Sequence, residues 1–196
     1  MAPEAQAAIL TGGFLIVIEA IKIGAEKYKA HKKPDLSDTD YDDLIGEIIQ
    51  GIQIDTQAHR VAYWAAQNGE KTLDGYSIKK LSMMVEKNAE GVDNIIRDMQ
   101  NVPSTTFKRT LSSLRLAADP HVLSNESEIQ DDLGRVNTAY GCNTMLVFKV
   151  SNIRRGKKWT GLLCIGFEER MRNVLPTEIG FCALQVSRIE ALISKL

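Results

Sequence analysis

The chain has 196 residues, 44% of them apolar, which is enough to bury one substantial hydrophobic core. Basic and acidic residues number 24 and 25, and the resulting net charge of -1 predicts no nucleic-acid partner. The 3 cysteines form no C-x-x-C pair and the 3 histidines have no carboxylate at ligand spacing, so neither a disulfide framework nor a metal site is expected. Phosphate-binding and dinucleotide-binding fingerprints are absent, and no cofactor is predicted.

Residues 7–21, AAILTGGFLIVIEAI, are almost entirely apolar and precede a lysine-rich flank that runs to Lys33. A helix of this length covers about 22 Å, which is short of the ~30 Å hydrocarbon core of a bilayer, and Glu19 lies inside the run. We therefore expect residues 1–33 to attach the protein to a membrane or to a partner protein, and a helix packed on its own domain is the alternative. The glycine pair in the run favours close packing between copies, which predicts a homo-oligomer or a larger assembly.

The polar stretch 34–40 begins with Pro34 and predicts a linker, after which residues 41–196 form the main domain. Apolar residues then recur at helical spacing and predict a first helix; they are Leu44, Ile45, Ile48, Ile49 and Ile52. The β-prone runs 60–66 and 78–85 predict two strands that are antiparallel neighbours.

Punctuated helical patterns fill the middle of the domain. Residues 92–99 predict a short helix that Pro103 terminates, and residues 107–114 predict a second helix that ends before the next proline. A short strand at 121–123 and a helix over 125–141 follow.

The last part of the chain predicts two central strands and a final helix. Runs 145–150 and 159–167 are apolar at consecutive positions, and therefore on both faces of a sheet, and an amphipathic helix starts at Thr177. Gly161 interrupts the second run, which predicts that the first or last helix approaches the sheet closely at this point.

Residues 140–196 resemble the closing half of a GAF domain, in which a glycine after a helix leads into an apolar strand, a glycine-containing strand and a C-terminal helix. Gly141, Gly161 and the helix from Thr177 occupy these places. The resemblance implies an α/β fold of the α+β kind, with a GAF-like central antiparallel sheet flanked by helices and preceded here by the N-terminal apolar helix.

The resemblance implies no particular ligand. Cyclic-nucleotide-binding members of the family share an Asn-Lys-Phe-x-Asp-Glu arrangement, and phytochrome-type members have a chromophore-attaching cysteine near a histidine; the sequence shows neither. The layout is also similar to that of the T-type holins of tailed phages, which implies a structural protein of a phage virion or lysis system. In that family the domain lies outside the cytoplasm, whereas the lysine flank predicts a membrane-associated protein with a cytoplasmic domain.

Aromatic residues supply the candidate ligand-binding side chains, which would line a pocket between the sheet and the helices. Core packing is the alternative role for the same residues. They are Tyr63, Trp64 and Trp159.

A basic run between the two central strands is the candidate interaction site for phosphate, an acidic partner or anionic lipid. A solvated hairpin tip would carry the same residues without any function. They are Arg154, Arg155, Lys157 and Lys158.

A small redox enzyme is the remaining functional alternative, since GAF-fold enzymes that reduce free methionine sulfoxide use a cysteine set and are of similar size. Cys142 and Cys164 would be its candidates, but Cys164 lies in the apolar run Leu-Leu-Cys-Ile, where a buried and inert thiol is expected. The sequence therefore predicts no enzyme and no catalytic residue. We expect a non-enzymatic, membrane-proximal or assembly-attached, GAF-like binding or scaffold domain.

Overall fold

A computed structural model describes residues 38–67, 78–116, 121–124, 139–152, 158–170 and 172–195. The N-terminal segment 1–33 and most of the helix expected over 125–141 lie outside these residues. The described helices and strands are, in chain order, α1 (Asp38–Thr56), β1 (Arg60–Gln67), β2 (Lys80–Asn88), β3 (Val102–Pro103), a 3-10 turn (Ser104–Phe107), α2 (Lys108–Leu116), β4 (His121–Ser124), β5 (Thr144–Asn152), β6 (Lys158–Phe167) and α3 (Pro176–Ile193).

The described strands form one sheet in the order β3-β2-β1-β6-β5-β4, and every pair of neighbours is antiparallel. This confirms the expected central antiparallel sheet, the pairing of the first two strands and the central position of the last two. Strands β1 and β6 pair from Arg60 opposite Gly166 to Ala65 opposite Gly161. The register therefore brings the start of β1 next to the end of β6.

Both faces of the sheet are covered by apolar side chains. Helices α1 and α3 cover one face, where Ile49, Ile52 and Ile189 are fully buried. Helix α2 and the 3-10 turn cover the other face with Phe107, Leu111 and Leu114. This arrangement explains the consecutive apolar residues of β5 and β6, because neighbouring side chains of a strand point into opposite layers.

Helix α1 begins at Asp38, inside the stretch 34–40 that the sequence predicts as a linker. Acidic residues in this first turn interact favourably with the positive end of the helix dipole, which explains an earlier start than the apolar pattern indicates. The helix ends where Gln57 adopts a left-handed backbone conformation with a φ of 52°. The Thr56 hydroxyl donates to the carbonyl oxygen of Ile52 at 2.7 Å and satisfies one of the last carbonyl groups.

Arg172 connects the end of α1 to the start of α3. Its Nη2 atom donates to the Thr56 carbonyl oxygen at 3.1 Å and to Glu178 Oε1 at 2.7 Å. Glu178 also accepts a hydrogen bond from the backbone N–H of Leu175, and these interactions lower the pKa of its carboxyl group. Because the C-terminus of α1 meets the N-terminus of α3, the two helices run antiparallel along the sheet.

The helix expected over residues 92–99 is not formed; the structure has turns there. The Glu86 carboxylate accepts the backbone N–H groups of Ile95 and Ile96 at 3.0 and 3.1 Å, so these groups are bound to β2 instead of to a helix. Of the apolar residues of the pattern, Ile95 and Met99 are buried in the core, whereas Val92 and Ile96 are half-buried. Pro103 belongs to the short edge strand β3 rather than to a helix end.

Two glycines occupy positions where a side chain does not fit. Gly141 has a φ of 84°, in the left-handed region that favours glycine, and a Cβ there would lie 2.8 Å from His59 Nε2. Gly161 faces the backbone carbonyl of Trp64 on the adjacent strand β1 and the ring of Tyr63. The expectation that a helix requires Gly161 is therefore wrong, because the close neighbour is β1.

Replacing Gly161 by valine should lower the free energy of unfolding by about 1–3 kcal/mol, because the new side chain overpacks the contact with the Trp64 carbonyl despite the better strand propensity of valine. Thermal unfolding of the variant measures this change. The matched control is Gly180→Ala on α3, where a Cβ meets nothing within 4 Å, and which should raise stability by roughly 0.5–1 kcal/mol. An unchanged or raised midpoint for Gly161→Val would contradict the packing described.

Candidate functional site

The structure places Tyr63 and Trp64 on opposite faces of β1. Tyr63 is buried beneath α1 and α3, and burial raises the pKa of its hydroxyl, with a further contribution from Asp42. Trp64 packs in the other layer, edge-on to Phe107 with the ring centroids 5.1 Å apart. Tyr63 and Trp64 therefore do not line the same pocket, because successive side chains of a strand point in opposite directions. The side chain of Trp159 lies outside the described residues, and the ligand-binding role of these aromatic residues stays a prediction.

The predicted basic interaction site cannot be placed in the fold. Residues 154, 155 and 157 lie outside the described residues, and of Lys158 only the backbone is described, as the first residue of β6. The interaction role of Arg154, Arg155, Lys157 and Lys158 stays a prediction.

A buried ion pair joins the first residue of β1 to β2, on the face that α2 covers. Arg60 Nε lies 3.1 Å from Glu86 Oε1, and the two side chains are 6% and 0% exposed. Arg60 also donates to Asn88 Oδ1 at 3.2 Å and to the Asp93 carbonyl oxygen at 2.8 Å. Charges removed from water need such partners, because an unpaired buried charge is strongly unfavourable.

An aromatic ring and a buried thiol lie near this ion pair. The Arg60 guanidinium lies 5.6 Å from the centre of the Tyr140 ring. Cys142 lies over Gly166, where a Cβ would be 2.5 Å from the sulfur. In the described part of the chain, Arg60 Nη1 has no hydrogen-bond partner. Sequence reasoning did not select this cluster, although an arginine at the start of an otherwise apolar strand is a detectable signal.

The three thiols are buried and free of disulfides. Burial raises the pKa of Cys142 and of Cys182 to about 11 and raises the pKa of Cys164 further. Arg60 acts in the opposite direction on Cys142, but the effect of burial is larger. A reactive cysteine needs an exposed, electropositive surrounding that stabilises the thiolate, and these positions stabilise the protonated thiol.

A groove of about 440 Å³ runs along the outer side of α1 and α3. Its α1 wall carries the exposed acidic residues Glu47 and Asp55, and its other wall carries the exposed basic residues Arg188 on α3 and Lys195 just after α3. None of these four side chains forms an ion pair within the described residues. We refer to this feature as the α1–α3 groove.

A second, smaller cavity of about 290 Å³ lies beside α2. Ile78 and Leu111 contribute apolar surface, and the remaining lining is basic or carries hydroxyl groups: Ser104, Thr105, Lys108, Ser112 and Arg115. We refer to it as the α2 cavity.

Among the described residues, no helix has the length and hydropathy needed to cross a membrane. The same part of the chain contains no cluster of three or more side chains able to hold a metal ion. Residues 7–21, on which the membrane expectation rests, are outside it.

Comparison with solved structures shows the fold. The phycocyanobilin-bound GAF domain from a cyanobacterial phytochrome is 13% identical, with a TM-score of 0.64 over 89% of this chain and 91% of that chain. The phycoerythrobilin-bound GAF domain from a cyanobacterial phytochrome is 13% identical, with a TM-score of 0.61 over 79% of this chain and 84% of the other. The PixJ GAF domain of Thermosynechococcus elongatus, in its blue-light absorbing form, is 12% identical, with a TM-score of 0.62 and coverages of 80% and 86%.

The domain therefore has an α+β GAF-like fold, with an antiparallel sheet packed against helices, as the sequence predicts. No family model matches the chain, and no curated protein sequence matches it. At this level of identity the likeness concerns the fold, and the site has to be argued from the residues present.

The native chain should react slowly with a thiol reagent at neutral pH, because its buried thiols remain protonated. Since burial raises the folded-state pKa of Cys142 and Cys182 from 9.0 to about 11, their contribution to stability is complete below pH 9 and is lost as the pH rises to 11. Urea unfolding at several pH values in this window measures the fall in the free energy of unfolding. The fall should be smaller in the control variant Cys142→Ala/Cys182→Ala. Fast labelling of one cysteine in native protein below neutral pH would support the redox-enzyme alternative instead.

Proposed function

We propose that this protein is a non-enzymatic, GAF-like binding and scaffold domain, in which two copies associate through the α1–α3 groove. The observation that carries the proposal is the charge distribution of this groove, which has an acidic wall on α1 and a basic wall on α3. Within the described residues these four side chains form no ion pair, and Arg188 donates only to the uncharged Gln185, so their charges are available to a partner with the complementary pattern. A second copy of the chain has that pattern.

The geometry of the two helices fits a two-fold dimer. Because α1 and α3 are antiparallel, a two-fold axis parallel to them places α1 of each copy over α3 of the other. Arg172 holds the end of α1 at Thr56 against the start of α3 at Glu178, so counting along the two antiparallel helices brings Glu47 level with Arg188. The pairing of Glu47 with Arg188 of the other copy then occurs twice, as an isologous interface requires.

Apolar side chains next to the groove add surface to bury. Ile54 on α1 and Leu184 on α3 are each 61% exposed. Ile54 lies on the same helical face as Glu47, and Leu184 on the same face as Arg188. Exposed apolar residues beside a complementary charge pattern are typical of interfaces, which have an apolar centre and a polar rim.

Charge exchange tests this dimer. In a chain that starts at Asp35, Glu47→Lys/Asp55→Lys should weaken self-association by about tenfold or more, and so should Arg188→Glu/Lys195→Glu, because each places like charges opposite each other. Combining all four changes should restore association. Sedimentation velocity measures the dimer fraction of each variant.

The matched control is Glu90→Lys/Asp98→Lys, which reverses two exposed acidic residues outside the groove and should leave association unchanged. A monomeric parent chain, or a four-residue exchange that associates no better than either double variant, would contradict the interface.

We further propose that residues 7–21 attach the domain to a membrane or to a partner protein. Their apolar side chains would form a larger exposed patch than soluble monomers usually carry. The full chain should therefore partition into detergent or form large assemblies, whereas a chain starting at Asp35 should stay soluble and folded, since residues from Asp38 onward form one compact unit. Fractionation of both chains decides this, and an equally soluble, small full-length species would remove the attachment role.

A further inference from the structure

We infer that the α2 cavity binds a small organic phosphate ester. This inference is independent of the proposed dimer, because the cavity lies on the opposite side of the sheet from the α1–α3 groove. Its volume of about 290 Å³ is at the lower end of the range for ligand pockets. The combination of cations, hydroxyl groups and an apolar wall determines the class of ligand.

The cationic side of the cavity is built by one face of α2. Lys108, Ser112 and Arg115 follow each other at spacings of four and three residues, which places them on the same side of a helix. Neither Lys108 nor Arg115 forms an ion pair within the described residues. Both side chains are exposed and available to an anion.

The 3-10 turn before α2 supplies two further hydrogen-bonding groups, the hydroxyls of Ser104 and Thr105. The turn is fixed to the start of β2, because the backbone N–H of Ser104 donates to the carbonyl oxygen of Lys79 at 2.9 Å. Hydroxyl groups and cations together are the groups that proteins use to bind phosphate oxygens.

The charges of the chain segments that line the cavity favour an anion. No acidic residue occurs from Met99 to Ala118 or from Ile78 to Val85. The same two stretches carry five basic residues, in a protein whose net charge is -1: Lys79, Lys80, Lys108, Arg109 and Arg115. Two of them, Lys108 and Arg115, line the cavity and give it a positive charge.

The start of α2 has no negative charge to compensate its cations. Lys108 and Arg109 occupy the first turn of α2, which contains no acidic residue. A bound dianion would supply this counter-charge.

The apolar part of the cavity distinguishes an organic ester from free phosphate. Ile78 and Leu111 are each 8% exposed, and they would contact an uncharged portion of the ligand rather than its phosphate group. The ligand class is therefore a phosphate group attached to a small apolar body.

Thermal unfolding of the full chain with phenyl phosphate tests the inference, since a ligand of the native state raises the midpoint in proportion to its occupancy. Phenyl phosphate should raise the midpoint, phenol at the same concentration should not, and added salt should reduce the effect. Lys108→Met/Arg115→Met should lower the affinity by about tenfold or more. The unliganded variant should melt at about the same temperature, because both replaced side chains are exposed and form no ion pair within the described residues.

The matched control is Lys87→Met, which removes a cation from the opposite face of the sheet, where Lys87 lies close to Gly46 of α1. The affinity of this variant for phenyl phosphate should equal that of the parent. Equal stabilisation of the parent and the Lys108→Met/Arg115→Met variant would overturn the inference, as would equal stabilisation by phenol. Vesicles containing phosphatidic acid provide the last comparison: binding to these vesicles without binding to phenyl phosphate would assign the cavity to a lipid headgroup and overturn the small-ligand inference.

Discussion

Burial of β6 on both faces is the constraint on which the rest of the structure depends. Leu162, Leu163 and Ile165 are inaccessible to solvent and point alternately into the two layers. Each layer therefore needs its own cover, and the chain supplies α1 and α3 on one side and α2 with the 95–99 turns on the other. Both glycines of β6 fit this close packing: Gly161 faces the Trp64 carbonyl of the adjacent strand β1, and Gly166 faces the side chain of Cys142 before β5.

Polar groups inside such a two-sided core have to be compensated locally. Arg60 and Glu86 contribute less to net stability than their short contact indicates, because removing two charges from water offsets most of their attraction. Their partners have a clearer structural role. Arg60 binds Asn88 and the Asp93 carbonyl, and Glu86 binds the backbone of Ile95, so the pair fixes the path of the connection between β2 and β3.

Local patterns predicted most of the fold. Helices α1 and α3, the four long strands and the short strand β4 follow from apolar spacing that each element shows by itself. Residues 92–99 were predicted wrongly because their hydrogen bonds go to Glu86, a partner that helical periodicity does not reveal. The candidate sites show the same limit: the charges of the α1–α3 groove lie on helices far apart in sequence. The absence of acidic residues around Lys108 and Arg115 is visible in the sequence, but its meaning depends on the cavity.

The two proposed surfaces lie on opposite sides of one rigid sheet, so any coupling between them has to pass through it. Tyr63 and Trp64 are consecutive residues of β1 whose side chains enter opposite layers. The register between β1 and β2 shifts between these two residues. Tyr63 packs below α1 and α3, while Trp64 contacts Phe107, which ends the turn that carries Ser104 and Thr105. Gly161, on the adjacent strand β6, lies against both residues. A close-packed junction of this kind transmits a displacement only if it has two alternative packings. Because the Trp64 carbonyl lies against Gly161, where a Cβ does not fit, coupling between the two surfaces would require this junction to repack.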